Sequence, residues 1–130
     1  MKKIVVFGGT GGLGSKLIPC LEKKYDVTSV GSKNVDITSF SEVQKYFNEN
    51  DFDIVLNMSG SKYDVFLSKI KDSDQEDINK MIDVNIKGNI NIVSSCLPKM
   101  IEKKYGRIIS ISSVFSELNV PKNSIYCASK

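Results

Sequence analysis

The 130-residue chain is 41% hydrophobic and 25% charged, the composition of one ordinary globular domain. Its formal net charge of +3 is too small and too evenly spread to indicate a nucleic-acid-binding protein. The absence of histidine excludes a Ser–His–Asp or Cys–His nucleophile and most zinc sites, so no metal site is predicted.

The amino terminus resembles a signal peptide only superficially. The apolar run Ile4–Phe7, which ends at Gly8, is too short to be the hydrophobic region of such a peptide. No later stretch approaches the length of a membrane span. Cys20, Cys96 and Cys127 are odd in number and far apart, which predicts reduced thiols rather than a disulfide framework. We therefore expect a soluble, cytoplasmic protein that makes no contact with membranes.

The first third of the chain predicts strands alternating with a helix. Ile4–Phe7 is continuously apolar and β-branched, as in a strand buried on both faces of a parallel sheet. Apolar residues at helical spacing then predict a helix from about residue 12 to residue 24, bent or loosened at Pro19. Asp26–Val30 is predicted as the second strand and Asn34–Ile37 as a short third strand.

The same alternation continues to the end of the chain. The predicted elements are a helix capped by Ser39 or Ser41, a strand over Asp53–Asn57, a short helix within the polar segment 61–76, a long helix over residues 75–104, a strand over Ile108–Ser112 and a helix beginning near Tyr126. This order predicts an α/β fold of the Rossmann type, a doubly wound parallel sheet with helices on both faces, in a single domain over residues 1–130.

A glycine-rich turn lies between the first predicted strand and the first predicted helix. It consists of Gly8, Gly9, Thr10, Gly11, Gly12, Leu13 and Gly14. In this position Gly8 permits a tight exit from the strand, Gly12 lets the backbone approach a pyrophosphate, and Gly14 lets helix and sheet pack closely. The helix N-terminus adds unpaired N–H groups and partial positive charge. The turn predicts a dinucleotide site, and a P-loop is excluded because no GK[ST] follows.

The sequence favours NADP over NAD, with the choice left open. A dinucleotide site usually carries an acid about 20 residues beyond the glycines for the ribose 2′-hydroxyl, or a basic group for a 2′-phosphate. The second predicted strand ends in Val30-Gly31-Ser32-Lys33, without a carboxylate. Ser32 and Lys33 are placed to meet a 2′-phosphate, although Lys33 is equally well explained as a solvated loop residue.

Further motifs follow in the order and spacing of one family. They are Asp36-Ile37, Asn57-Met58-Ser59-Gly60, Asn85 within the long helix, Ser113 after the fifth predicted strand, and the YxxxK motif Tyr126-Cys127-Ala128-Ser129-Lys130. Together with the glycine turn they resemble the short-chain dehydrogenase/reductases over Lys2 to Lys130. Phe7 and Met58 depart from the family pattern because they replace small polar residues.

The resemblance implies an NAD(P)-dependent oxidoreductase that transfers hydride between the nicotinamide and a carbonyl or alcohol substrate. A 3-oxoacyl thioester reductase is the commonest relative of this kind. The implied catalytic residues are Asn85, Ser113, Tyr126 and Lys130. The implied cofactor-binding residues are Gly8, Thr10, Gly11, Gly12, Leu13, Gly14, Ser32, Lys33, Asp36, Ile37, Asn57, Ser59, Gly60, Tyr126 and Lys130.

The YxxxK motif suits the proton transfer that such a reaction needs. The cofactor supplies only hydride, so the developing alkoxide requires a proton donor. Tyr126 and Lys130 lie at i and i+4, on one helix face, where the ammonium stabilises a phenolate. By resemblance, Lys130 also binds the nicotinamide ribose, Ser113 holds the substrate carbonyl, and Asn85 breaks the long helix to order a water that leads protons to Lys130.

Family members are nearly twice as long as this chain, which ends at Lys130. We therefore expect a truncated product that binds cofactor weakly and turns over little. The family resemblance implies a homo-oligomer, but its interface helices are incomplete here. A binding module that holds NAD(P) without catalysis is the alternative function. A nucleotide-sugar epimerase is disfavoured, because its glycine pattern is closer to GxxGxxG.

Overall fold

Four parallel strands form one sheet in the computed structural model, which describes Met1 to Lys130. The strands are β1 (Lys3–Phe7), β2 (Asp26–Val30), β3 (Ile54–Asn57) and β4 (Arg107–Ser110), in the spatial order β2-β1-β3-β4. The helices are α1 (Gly12–Leu21), α2 (Phe40–Glu49), α3 (Gln75–Ile82), α4 (Gly88–Glu102) and α5 (Ser124–Ser129). The predicted Rossmann-type fold is confirmed.

The strand register brings the carboxyl ends of the strands to one edge of the sheet. Phe7 pairs with Val30 on one side and with Asn57 on the other, and Asn57 pairs with Ser110. Ligands of open α/β sheets bind beyond this edge, where the connections leave the strands. The register therefore fixes where a site can form.

Alternate residues of β1 supply two separate hydrophobic clusters. Val5 and Phe7 pack with α2 and α4 on one face, whereas Ile4 and Val6 pack on the other face against side chains of α1. All four are at most 3% exposed, as expected for a strand covered on both sides. Phe7 replaces a small polar residue of the family pattern, and its ring packs against the aromatic rings of Tyr46 and Phe47 in α2.

The long predicted helix is present, but it is not a continuous α-helix. The residues Asp83–Lys87 form a π-helical turn between α3 and α4, with Asn85 buried at its centre. The local break expected at Asn85 takes this form. Single π-helical turns inside α-helices are often found at functional sites.

The predicted third strand at Asn34–Ile37 is wrong. Directly after β2, the amides of Asn34 and Val35 both donate to the carbonyl of Gly31, which closes a turn. A parallel strand beside β2 needs a crossover of a dozen residues or more, and the chain is too short for one here. Val35 and Ile37 are nevertheless buried in the core, and the Ile37 carbonyl accepts from Asn91 of α4 at 2.9 Å.

Several predicted boundaries also shift. The first helix ends at Leu21 instead of residue 24, because the amides of Lys24 and Tyr25 both close onto the Leu21 carbonyl. The segment 61–76 contains two short 3₁₀ turns, at Leu67–Lys69 and Asp72–Asp74, in place of one α-helix. The long helical path ends at Glu102 and α5 begins at Ser124.

The fourth strand ends at Ser110 instead of Ser112. Ile111 still donates to the carbonyl of Asn57 at 3.1 Å, but β3 offers no partner further on. Ser113 then caps a 3₁₀ turn over Val114–Ser116. None of the helices has the length and apolar character needed to cross a bilayer.

Asp53 joins three parts of the chain at the opposite, amino edge of the sheet. Its carboxylate accepts from the amide of Lys3 at 2.9 Å, where β1 begins, and lies 3.5 Å from Nζ of Lys103, just beyond α4. The hydrogen bond from Lys3 and the charge of Lys103 hold the pKa of Asp53 below its ordinary value of 3.8. The carboxylate form therefore stabilises the folded chain.

We predict that Asp53→Asn lowers the free energy of unfolding by roughly 1 kcal/mol at neutral pH, since the charge is partly exposed. A carboxyl whose pKa is lowered on folding stabilises the protein above its unfolded pKa, and this contribution is lost as pH falls through the folded pKa. Urea unfolding at several pH values should show the two proteins converging as the pH falls through the folded pKa of Asp53. Asp26→Asn, at the start of β2, is the matched control, and a difference that does not change with pH would contradict the prediction.

Candidate functional site

The glycine turn lies directly against the end of β3. Gly8 has a φ of +74°, a left-handed conformation that favours glycine. A Cβ added to Gly8 would lie 2.7 Å from the amide nitrogen of Ser59 and 2.8 Å from the carbonyl carbon of Met58. Because these are backbone atoms, no side chain is tolerated at this contact.

The other glycines of the turn fall into two kinds. A Cβ on Gly14 would come within 2.6 Å of the Gly8 carbonyl oxygen and of the Gly9 Cα, so close packing requires the glycine. A Cβ on Gly12 would meet no atom within 4 Å. Nothing in the protein fills the space beside Gly12, and that space is where a ligand can approach the backbone.

The N-terminus of α1 is an electrostatically positive end. Gly11 is its N-cap and makes no side-chain capping bond, and the first turn contains no acidic residue. The first amides of a helix have no intrahelical partners, and the helix dipole adds partial positive charge there. The arrangement suits an anion such as a pyrophosphate.

One cavity of about 360 Å³, which we call the first cavity, lies between the ends of β1 and β2 and the start of the long helical path. Its lining includes Gly8, Thr10, Gly11, Ser32, Asp36, Ile37, Ser59 and Gly60 of the predicted cofactor-binding set, together with Thr38, Met58, Ser61, Lys80 and Val84. Lys33 does not line it. The side chain of Lys80, in α3, is exposed and brings an ammonium group to the wall of this cavity.

Asp36 is held in place by its neighbours. One carboxylate oxygen accepts from the amide of Thr38 at 2.9 Å and from its hydroxyl at 2.7 Å. The Asp36 amide donates to the carboxylate of Glu42 in α2 at 2.9 Å. The side chain is therefore oriented at the wall of the first cavity before any ligand arrives.

A second cavity, of about 340 Å³, shares the glycine turn with the first and extends to α5. Its lining includes Gly12, Leu13 and Gly14 from the turn, Met58 to Lys62 from the loop after β3, Ile111 and Ser112 after β4, and Tyr126 and Lys130. Nζ of Lys130 donates to the carbonyl of Ile111 at 2.6 Å, and burial lowers the pKa of Lys130. Tyr126 and Lys130 thus face the same space as the glycines.

The two serines after β4 differ in position. Ser112 lines the second cavity, and its hydroxyl donates to the backbone carbonyl of Lys130 at 2.9 Å. Ser113 lines neither cavity, and its hydroxyl accepts from the amide of Phe115 at 3.2 Å. The catalytic role assigned to Ser113 stays a prediction, and Ser112 joins it as a hydroxyl that lines the same cavity as Tyr126.

Asn85 connects the loop after β3 to α5. Its side-chain amide donates to the Ser61 carbonyl and to the Ser129 hydroxyl, each at 2.8 Å, and its oxygen accepts from the Ser61 amide at 2.8 Å. It also lines a small polar cavity of about 100 Å³ that reaches Lys130 and Asn57. Asn57 lines only this cavity, where its side chain donates to Asn89 at 3.1 Å.

Several residues that line these cavities were not predicted from the sequence, among them Thr38, Lys62, Lys80 and Asn89. None of these four belongs to a motif. Lys80 carried one weak signal, because it lies one helical turn before Val84 on the same face. The positions of Lys62 and Asn89 depend on how loop and helix meet, which residue spacing does not encode.

Comparison with known proteins identifies relatives of this chain. A family model described as short chain dehydrogenase matches residues 20–130. An uncharacterized oxidoreductase of Staphylococcus saprophyticus is 36% identical over 126 residues, which cover 91% of this chain and 50% of the relative. A 3-oxoacyl-[acyl-carrier-protein] reductase of Rickettsia typhi is 29% identical over 149 residues, covering 99% of this chain and 61% of the relative. The chain thus spans half to three-fifths of the length of these relatives.

The solved structure of ElxO with NADP bound has a similar fold. It superposes with a TM-score of 0.77 at 24% identity, covering 99% of this chain and 62% of that one.

We predict that Gly14→Ala and Gly12→Ala affect stability in opposite ways. Gly14→Ala should destabilise the fold by about 1–3 kcal/mol, because its methyl group overlaps backbone atoms that cannot move away. Gly12→Ala should leave stability unchanged or raise it by up to about 1 kcal/mol, since alanine favours a helix. Urea unfolding followed by circular dichroism measures both, and equal losses in the two variants would contradict the assignment of open space at Gly12.

Proposed function

This chain belongs to the short-chain dehydrogenase family, and on that premise we propose that it binds NAD(P) and transfers hydride between the nicotinamide and a carbonyl or alcohol substrate. The observation that carries the proposal is the second cavity, where Tyr126 and Lys130 line the same space as the glycine turn. A shared space is what a reaction between a bound dinucleotide and a proton donor needs.

The residues present fit a dinucleotide. The open space at Gly12 and the uncapped start of α1 suit the pyrophosphate. The oriented carboxylate of Asp36, with Ile37 beside it, suits the exocyclic amine of adenine in the first cavity, and Ser32 suits the ribose. When bound, NAD(P) supplies the hydride, which no amino-acid side chain can do.

We propose NADP as the preferred form. Ser32 and Thr10 present hydroxyl groups at the first cavity, and no carboxylate stands at the tip of β2 to bind a 2′-hydroxyl. The fold similarity to ElxO, which has NADP bound, agrees with this choice. Lys33 lies outside the cavity wall, which weakens its assigned part in phosphate binding.

In the proposed reaction the chain moves the proton. The hydroxyl of Tyr126 donates it to the carbonyl oxygen as charge develops there, and the ammonium of Lys130 stabilises the resulting phenolate. Burial lowers the pKa of Lys130, which makes its ammonium a stronger acid. The Ser113 or Ser112 hydroxyl holds the carbonyl oxygen, and Asn85 with the small polar cavity gives room for water beside Lys130.

The substrate class proposed is a carbonyl compound, with 3-oxoacyl thioesters as one candidate because the Rickettsia relative is a 3-oxoacyl-[acyl-carrier-protein] reductase. We further propose slow turnover by residues 1–130 alone. The helix α5, which carries Tyr126 and ends one residue before Lys130, is only six residues long, and helices this short fray.

We predict that Tyr126→Phe lowers carbonyl reduction by roughly 10²–10⁴-fold and leaves NADPH affinity within about a factor of two, because only the proton donor is removed. The loss of absorbance of the reduced nicotinamide measures turnover, and the fluorescence of bound NADPH measures affinity. Tyr25→Phe, at a half-buried tyrosine outside both cavities, is the matched control.

Three outcomes separate the alternatives. Equal turnover in the wild type and in Tyr126→Phe would refute the assigned proton donor. NADPH binding without any turnover in the wild type would favour a non-catalytic binding module. Absence of NADPH binding would refute the proposed function as a whole.

A further inference from the structure

Lys62 stands at the reactive end of the second cavity. It belongs to the loop after β3, and its Nζ lies 5.2 Å from the ring centroid of Phe115 and 6.0 Å from that of Tyr126. These two rings pack edge to face, with centroids 5.8 Å apart. The ammonium is therefore placed near the proton donor, at the end of the cavity formed with α5.

The charged side chains at this cavity are all of one sign. Its lining contains the two side-chain ammonium groups of Lys62 and Lys130 and no aspartate or glutamate. Nζ of Lys130 is bonded to the Ile111 carbonyl, whereas the side chain of Lys62 is 43% exposed and can be reached from solvent. An unbalanced ammonium beside a cavity favours an anionic ligand there.

The existing partner of Lys62 does not prevent such binding. Nζ of Lys62 lies 3.1 Å from Oδ1 of Asp64, whose side chain is 49% exposed and lies outside the cavity. An exposed ion pair of this kind contributes little, because water and salt screen it. A ligand anion can therefore share or replace Asp64, and Asp64 competes with it.

We propose that Lys62 binds an anionic group of the substrate, so that the site takes an oxo compound carrying a carboxylate or a phosphate close to its carbonyl. The inference rests on the proposed function, because it assumes that the substrate carbonyl lies at Tyr126. The cofactor pyrophosphate is not the intended anion, since the open backbone at Gly12 and the uncapped start of α1 suit it without Lys62.

A purely structural role for Lys62 makes a different prediction. Its contacts with the two rings would then only attach the loop after β3 to the segment that carries Tyr126. The loop already has such an attachment, because the Val65 amide donates to the carbonyl of Lys122 at 2.8 Å. Removing Lys62 would in that case change stability and leave the preference for charged ligands untouched.

The test compares two probes that differ in one charge. The isotope-labelled chain is titrated with acetoacetate and, separately, with methyl acetoacetate, with and without NADPH, while NMR follows the backbone amides of residues 61–64. Acetoacetate should bind at least about fivefold more tightly than its ester, as one charge-assisted contact at a half-exposed site allows. The amide of Lys62 should shift with acetoacetate only.

The variants assign that preference to the ammonium. Lys62→Gln should abolish it and Lys62→Arg should retain it. Asp64→Asn should strengthen acetoacetate binding by roughly two- to threefold, because a competing carboxylate is removed. Lys69→Gln is the matched control, since Nζ of Lys69 also lies over an aromatic ring, that of Phe66 at 5.5 Å, but outside the cavity.

Each result decides the matter. Equal affinity for the two probes, or a preference that survives Lys62→Gln, overturns the inference, with or without NADPH in the sample. If NADPH binds and turnover persists while the preference is absent, the proposed function stands and the role of Lys62 fails. If NADPH does not bind, the proposed function fails, and the acetoacetate titration without NADPH still decides whether Lys62 holds an anion.

Discussion

The site depends on one close backbone contact, where the glycine turn after β1 lies against the loop that leaves β3. Gly8 adopts a left-handed conformation there and comes so near to Ser59 that a Cβ would lie 2.7 Å from its amide nitrogen. The first and second cavities are both lined by Gly8, Gly11 and the residues from Met58 to Ser61. A larger residue at position 8 would separate β1 from β3 and remove the common wall of the two cavities.

The register of the strands aligns the two loops that make this contact. Phe7, Asn57 and Ser110 occupy equivalent positions on β1, β3 and β4, so the loops that follow all leave the sheet at one height. The start of α1 lies above the same edge, without a capping side chain or an acidic residue in its first turn. The positive end of a helix, an open glycine backbone and two lysines thus face one space, and together they favour anionic ligands.

Sequence patterns predicted the parts of the molecule that depend on spacing along the chain. The buried run before Gly8 and the glycine positions each express one local geometry, and the fold carries them as expected. Tyr126 and Lys130 line one cavity, but α5 ends at Ser129, and their shared catalytic role stays a prediction. The mistaken strand at Asn34–Ile37 has the opposite origin. Burial of Val35 and Ile37 produces the alternation of a strand, while hydrogen bonding within the turn prevents the pairing.

The side chains that the sequence could not place depend on contacts between distant segments. Lys33, next to the second strand, was one candidate cation for a cofactor phosphate, yet it is Lys80 that reaches the first cavity, from α3. Lys62 reaches Tyr126 only because the loop after β3 folds towards α5, which brings together residues nearly half the chain apart in sequence. The spacing of residues along the sequence does not reveal contacts between segments that are this far apart.

The helical path through α3 and α4 lines two cavities at the π-helical turn between them. Val84 lines the first cavity, whereas the next residue, Asn85, points towards Ser61 and Ser129 and lines the small polar cavity beside Lys130. Neighbouring residues on a helix point in different directions, so one helical path can serve both cavities. Asn85 therefore lies where the adenine side and the proton-transfer side of the proposed site meet. Its hydrogen bonds join the loop after β3 to the short helix that carries Tyr126.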